Sequence, residues 1–246
     1  MGVAYAYVTI AISVLAVLVG AFAQASAGTG LGLISGGILV VTLGREPSIV
    51  LLSLISIPMM AAILWQNHRD IQWKNAVFMT IPALIATPLL ALGLRKVADG
   101  YLLVAAGVAV LMSVFFLLNG HNVARLKGKI GATGAGLLSA VMNMLSGSGG
   151  PPVAIYAVNA QWSPSATRGT LQVFFMGMSL ASVTSLGIPL WDIRTVIFLC
   201  CAAVVGTVSG MLVANKLPVK AARLAILALA ALGGCVMLGS GIASFL

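Results

Sequence analysis

A chain of 246 residues with 61% hydrophobic and 7% charged side chains and a mean hydropathy of +1.13 is not a water-soluble domain, in which about a quarter of the residues carry charge. Its formal net charge of +9 comes from Lys and Arg scattered over short loops, which argues against a nucleic-acid surface and fits membrane topology. The longest charged connections, near residues 66–74 and 119–129, leave no room for a soluble catalytic domain, so the expected partner is the lipid bilayer and not nucleic acid.

A helix that crosses a bilayer needs about 20 apolar residues. On that measure the first half holds apolar segments at 3–23, 27–43, 48–65, 75–94 and 100–118. The first ends in Ala25-Ser26-Ala27 like a secretory leader, but it lacks a basic start and has an internal counterpart, so it is read as a retained membrane helix. Pro58 interrupts the third segment, and Pro82 and Pro88 the fourth, where they are expected to kink the helices. The second half gives 130–146, 151–161, 167–187, 194–214 and 222–245. Segment 151–161 is short for a crossing and opens on glycine and proline, which predicts a half-membrane helix. Trp65, Trp73, Trp162 and Trp191 fall at segment ends, where interfacial anchoring accounts for them. Cys200, Cys201 and Cys235 sit in apolar runs without acidic or histidine neighbours and are read as small packing residues, so no metal or cofactor is expected.

The fold class is therefore an all-α polytopic membrane protein with five helical elements in each of two repeats, residues 1–120 and 121–246. Loop charges test the count. Five elements per half collect Arg69, Lys74, Arg125, Lys127, Lys129, Arg168, Lys216, Lys220 and Arg223 on one side, nine against the four of Arg45, Arg95, Lys96 and Arg194. Four crossings per half would split them seven to six and specify no orientation. The test fixes parity, not whether 27–43 and 151–161 cross fully. It places both termini away from the cytoplasm, and an odd count per half inverts the second repeat relative to the first.

Two glycine-rich, hydroxyl-bearing stretches occupy matching places in these halves. The first runs from Gln24 through Ser26, Gly28, Thr29 and Gly30 to Gly32, and the second from Asn143 through Ser146, Gly147, Ser148, Gly149 and Gly150 to Pro151 and Pro152. A slide of 117 positions sets Thr29 on Ser146, Gly30 on Gly147, Gly32 on Gly149 and Pro47-Ser48 on Pro164-Ser165. A further slip of three aligns Lys74 with Arg194, Phe78 with Phe198 and Thr87 with Thr207. Glycine clusters cost an ordinary helix about 1 kcal/mol per residue, and freed backbone groups in hydrocarbon must be paired or line a wet cavity. Each stretch thus predicts a re-entrant or broken helix. The restarting N-terminus offers unpaired N–H groups and partial positive charge to an anion, and a proline there sacrifices only an N–H that had no partner. Hydroxyls of Thr29, Ser146 and Ser148 and the amides of Gln24 and Asn143 would add donors. A second reading is close helix packing: Gly28 and Gly32, Gly32 and Gly36, and Gly206 and Gly210 all have small-residue contact spacing. Packing is preferred for Gly206 with Gly210, and ligand binding for the two aligned stretches.

Other chemistry is thin. Glu46, Asp70, Asp99 and Asp192 are read as loop residues, so no buried proton carrier is expected. Arg168, followed by Gly169 and Thr170, is read either as a group that draws anions toward a pore or as a cytoplasmic anchor. No nucleophile with its base, metal cluster or nucleotide loop occurs and no acid or histidine lies at depth, so no enzyme is expected and a membrane-embedded one is the most remote reading; Gly28 to Gly32 follows an apolar helix rather than the strand a dinucleotide fingerprint requires. Three readings stay open: an alternating-access carrier for a small anion held at the midplane, a passive anion channel, and a noncatalytic membrane subunit with glycine packing faces. A homo-oligomer is compatible with all three.

The stretch Ala27-Gly28-Thr29-Gly30-Leu31-Gly32-Leu33-Ile34, with Gly147-Ser148-Gly149-Gly150-Pro151-Pro152-Val153-Ala154-Ile155-Tyr156 and the later Arg168-Gly169-Thr170, resembles the TauE/SafE sulfite exporter family, also called the toluene sulfonate uptake permease family, over nearly the whole chain. The second motif is the more specific. In the first, Leu31 and Leu33 interrupt a glycine cluster that is denser in many members. The resemblance implies a small bacterial inner-membrane permease for sulfur-containing anions such as sulfite, sulfoacetate or sulfonates.

Overall fold

The computed structural model describes residues 2–119, 128–214 and 219–245; of residues 2–7, 119, 219–223, 225 and 226 it describes the backbone alone. Arg125, Lys127, Lys216 and the boundary between the two repeats thus lie outside the described residues, as do the side chains of Lys220 and Arg223. Among the described residues the secondary structure is helical: α1 (Gly2–Ala27), α2 (Leu31–Leu43), α3 (Arg45–Asn67), a 3₁₀ turn (His68–Asp70), α4 (Trp73–Leu94), α5 (Asp99–Asn119), α6 (Gly128–Ser146), α7 (Gly150–Asn159), α8 (Pro164–Leu186), α9 (Ile193–Val213) and α10 (Val219–Ala243). Six of them are long and apolar enough to cross a membrane. Pro58 lies inside α3 and Pro82 and Pro88 inside α4.

Four chain segments stop a helix for visible reasons. Gly28, Gly44, Gly147 and Gly187 all adopt positive φ, a backbone state that glycine enters freely. Each returns its N–H to the carbonyl four residues back, closing the helix end.

Packing pairs the elements. α1 lies on α9, where Gly206 meets the Leu18 carbonyl and Gly210 the Phe22 carbonyl. α4 lies on α6, where Gly136 meets the Met79 carbonyl. The packing reading of Gly206 and Gly210 is what the structure has. α3 crosses α8, α5 runs against α10, and Thr87 of α4 and Thr207 of α9 make the same bond, to Ala83 O and Ala203 O at 2.7 Å.

Side-chain bonds gather the loops at two ends. At one, Glu46 accepts from Arg45 and Arg95, and Arg95 also reaches Leu186 O. At the other, Asn67 meets Arg168, Gln72 N–H meets Thr170, and Tyr156 OH donates to Asn75 Oδ1 and Gly128 O. Two sequence readings change in detail. Glu46 and Asp99 open α3 and α5 rather than lying in loops, a position where the helix dipole favours a carboxylate. Cys200 packs on the core, whereas Cys201 and Cys235 are exposed on helix surfaces.

Candidate functional site

The two breaks share one construction. α1 ends at Ala27 because Gly28 takes φ +86° and donates its N–H to Gln24 O at 2.8 Å, and α6 ends at Ser146 because Gly147 takes φ +70° and donates to Asn143 O at 2.7 Å. A hydroxyl residue follows each, Thr29 or Ser148, and then the glycine that precedes the next helix, Gly30 before α2 or Gly149 before α7. The helix ends therefore correspond at a spacing of 119 residues, from Gly28 to Gly147. This corrects the gap-free register of 117, which sets Thr29 against the last residue of α6. The positive-φ glycine marks the equivalent point because its backbone state, not its neighbouring hydroxyl, stops the helix. The corrected spacing also makes Gln24 and Asn143 counterparts.

Each restarted helix doubles back along the one before it: Leu31 lies beside Gly20, and Gly149 beside Ser139 and Asn143. The two turns then meet. A Cβ on Gly32 would overlap the Gly147 carbonyl, one on Gly36 would overlap the Ser146 carbonyl, and Ser148 Oγ donates to Gly32 O at 2.9 Å. Gly36 thus has a packing role, and Gly32 has a packing role as well as a place at the site.

Beside this crossing lies a cavity of about 40 Å³. One water needs about 10–15 Å³, so the space suits a group of a few heavy atoms. Its walls are Gly30, Leu31, Gly32 and Leu33 from the start of α2, Gly147, Gly149 and Gly150 from the second break, and the carboxamides Gln24 and Asn143. Ser53 and Ser56 of α3 and Ser179 of α8 add hydroxyls, with Ile49, Leu52, Met60, Phe175 and Met178 on the apolar side. Among the described residues no charged side chain lines it, and no cluster of His, Cys, Asp and Glu could hold a metal.

Of the candidates drawn from sequence, Gln24, Gly30, Gly32, Asn143, Gly147, Gly149 and Gly150 line this cavity. The rest are placed around it. Ser26 Oγ donates to Phe22 O at 2.8 Å and Ser146 Oγ to Met142 O at 3.2 Å, each within its own helix. Thr29 packs on Gly150, Gly28 on Arg168, and Pro151 is buried. Thr170 Oγ1 accepts from Gln72 N–H at 2.9 Å. Arg168 sits behind the first break, with Nη1 donating to Ser26 O at 3.4 Å and Nε to Asn67 Oδ1 at 3.3 Å, so its charge lies at the C-terminal end of α1, where the dipole welcomes a cation.

Several residues escaped the sequence reading. Arg45, buried, donates through Nη1 to Met144 O at 3.1 Å and does for the end of α6 what Arg168 does for α1. Gln172, wholly buried on α8, accepts from Gln24 Nε2 at 3.2 Å and donates to Gly28 O at 3.2 Å. Ser56 and Ser179 bring their hydroxyls to 3.4 Å across α3 and α8, and Ser182 accepts from Asn143 Nδ2 at 3.0 Å. A signal was present: Ser53 with Ser56 and Ser179 with Ser182 are three residues apart inside apolar helices, hence on one face of each, and polar groups at that depth need a use.

The two helix starts differ as donors. Neither carries a side-chain cap from its own first residues, and α2 presents N–H groups from Leu31, Gly32 and Leu33, of which Leu31 donates to Gln24 Oε1 at 3.3 Å. In α7, Pro151 and Pro152 have no N–H, which leaves Gly150 as the first-turn donor.

Six long apolar helices and an uncharged polar cavity where two glycine breaks meet define a multi-pass membrane protein of the transporter class. The family model for sulfite exporter TauE/SafE matches residues 12–237 of the chain. The protein belongs to that family, which implies a membrane transporter of sulfite or a related sulfur anion. No curated protein and no solved structure matches it.

Proposed function

We propose that the protein is an alternating-access permease that holds a small sulfur oxyanion, sulfite or a small organosulfonate, between the glycine-rich breaks at residues 24–32 and 143–152. The observation that carries this reading is the cavity itself. It is walled by the first turn of α2, by both breaks and by three serine hydroxyls, and among the described residues no carboxylate lines it, so an anion would meet neutral N–H and hydroxyl groups without a fixed countercharge. Such an arrangement suits an anion that must also leave, because neutral donors hold it less tightly than a buried cation would.

The two halves, residues 1–120 and 121–246, are read as inverted repeats. The packing supports this: α1 on α9 answers α6 on α4, α1 with α2 answers α6 with α7, and α3 with α8 and α5 with α10 pair across the axis that would relate them. At 1.5 Å per residue, the 13 residues of α2 and the 10 of α7 reach about 20 and 15 Å, short of the ~30 Å hydrocarbon core, which supports half-membrane helices. The end bearing Arg69, Lys74, Lys129 and Arg168 is assigned to the cytoplasm of an inner membrane by its excess of basic residues, with both termini opposite. Rocking one half against the other would expose the cavity to each side in turn.

Counterflow in proteoliposomes tests the reading. Vesicles loaded with unlabelled sulfite should accumulate external labelled sulfite transiently, with saturation, and the double variant Ser56→Ala/Ser179→Ala should raise the half-saturating concentration about tenfold, as expected for two lost donors. Flux without saturation or counterflow would identify a channel, and no flux of either sulfite or a small organosulfonate such as sulfoacetate would remove the anion-carrier reading in favour of a packing subunit.

A further inference from the structure

Gln24 and Gln172 form a chain whose direction is fixed at both ends by the backbone. Leu31 N–H is a donor, so the Gln24 atom 3.3 Å from it is Oε1. Gln24 Nε2 then donates to Gln172 Oε1 at 3.2 Å, and Gln172 Nε2 donates to Gly28 O at 3.2 Å. The two amides cannot be turned over without facing donor to donor and acceptor to acceptor. Both side chains are buried, yet all three bonds are longer than the usual N–H to O separation of about 2.9–3.0 Å, and Gln24 lines the cavity.

The consequence for an anion is specific. The first N–H of α2, where the helix dipole is strongest, is already occupied by a neutral oxygen of the protein, and that oxygen presents a partial negative charge beside the space an anion would enter. Gln172 holds it there from α8, in the other half of the chain. We propose that Gln24 Oε1 is a displaceable stand-in for a substrate oxygen: the anion takes Leu31 N–H, Gln24 withdraws, and its release from Gln172 loosens α8 from the α1–α2 turn. Gln172 is then a positioning residue that ties occupancy of the site to the contact between halves. The inference rests on the anion-site reading above and reverses the simple expectation that Gln24 is a ligand.

Sulfite titrated calorimetrically into detergent-purified protein decides it. Gln24→Met and Gln172→Met keep an unbranched side chain of similar length and remove the competing acceptor or its support. Each should bind sulfite about two- to tenfold more tightly than the parent, the range spanned by one net hydrogen bond, and the double variant should gain little more because both act through the same N–H. Gln24→Glu, which places a charged acceptor on Leu31 N–H, should weaken binding by tenfold or more. Weaker or unchanged binding in both methionine variants, each showing a cooperative melting transition without ligand, overturns the stand-in role and leaves the anion site standing. Absence of binding of both sulfite and sulfoacetate in the parent protein removes the site reading instead.

Discussion

The two glycine-rich breaks are alike in backbone and unlike in chemistry. Both end a helix on a positive-φ glycine four residues after a carboxamide, Gln24 or Asn143. The first break then opens into a helix whose first turn keeps its N–H groups, and it is held from outside by Gln172 and by Arg168 on Ser26 O. The second opens into two prolines and is pinned by its surroundings: Ser139 Oγ donates to Gly149 O, Asn143 Nδ2 to Ser182, and Ser148 Oγ to Gly32 O. One break is thus the donor of the pair and the other its frame. In the proposed carrier this difference would let the first turn exchange partners while the second fixes where the exchange occurs.

The comparison breaks most sharply at their contact. Gly32→Ala drives a methyl group into the Gly147 carbonyl, and since backbone rather than a flexible side chain must give way, the expected loss is about 3 kcal/mol of stability together with sulfite binding. Urea unfolding in detergent micelles reads the first and calorimetry the second. Gly134→Ala, where an added Cβ meets nothing within 4 Å, is the control and should be neutral or better. If Gly32→Ala folded and bound like the parent, the breaks would not form a single rigid crossing.

A smaller effect separates the two arginine supports. Arg45 has a side chain only 7% exposed and is bonded to Met144 O and Glu46, whereas Arg168 is half-buried with longer bonds of 3.3 and 3.4 Å. Arg45→Met should cost about 2–3 kcal/mol and Arg168→Met about 1 kcal/mol, following the strength of charge-assisted bonds in drier and wetter settings. Equal losses in the same unfolding assay would mean that the frame and the donor break are held equally firmly, contrary to their bonding.

Much of this was legible in the chain because membrane segments announce themselves by length and hydropathy. The sequence segments 27–43 and 151–161 correspond to α2 and α7 within a few residues, and the glycine-proline entrance at 150–152 does begin a helix. The glycines and carboxamides that line the cavity from the breaks could be named from the sequence, whereas the hydroxyls of Thr29, Ser146 and Ser148 named with them do not line it, and the two serines bond to Met142 O and Gly32 O instead. What stayed hidden depends on which helices touch. Gln172 lies 148 residues from Gln24, and Arg45 lies 99 from Met144; neither belongs to a motif, and only the crossing of α8 over α1 and of α3 over α6 gives them a role. The register of 117 misled for a local reason, as matching hydroxyls is weaker evidence of equivalence than matching the glycine that carries positive φ.

The least effect is expected where the two halves of the chain differ away from the site. α4 and α9, which the proposed repeat would make counterparts, start differently. The amide before α4, Gln72 N–H, is satisfied by Thr170 of α8, while α9 caps itself: Asp192 Oδ2 accepts from Thr195 N–H and Oγ1, both at 3.1 Å. The Thr195 amide holds the Asp192 carboxyl below the usual carboxylate range, and the group is fully exposed. A carboxyl lowered in the folded state contributes its stability at neutral pH and loses it as pH falls through that lowered value. Hydrogen exchange should therefore show the first turn of α9 opening more readily below the ordinary carboxylate range, and Asp192→Ala should open the same turn at neutral pH and remove the acid response, with sulfite counterflow unchanged. Thr170→Val, by contrast, strips an acceptor from a buried contact between α8 and the start of α4 and should cost about 1 kcal/mol. If Asp192→Ala slowed counterflow, the start of α9 would be part of the moving contact and the two halves would be more alike in action than in bonding.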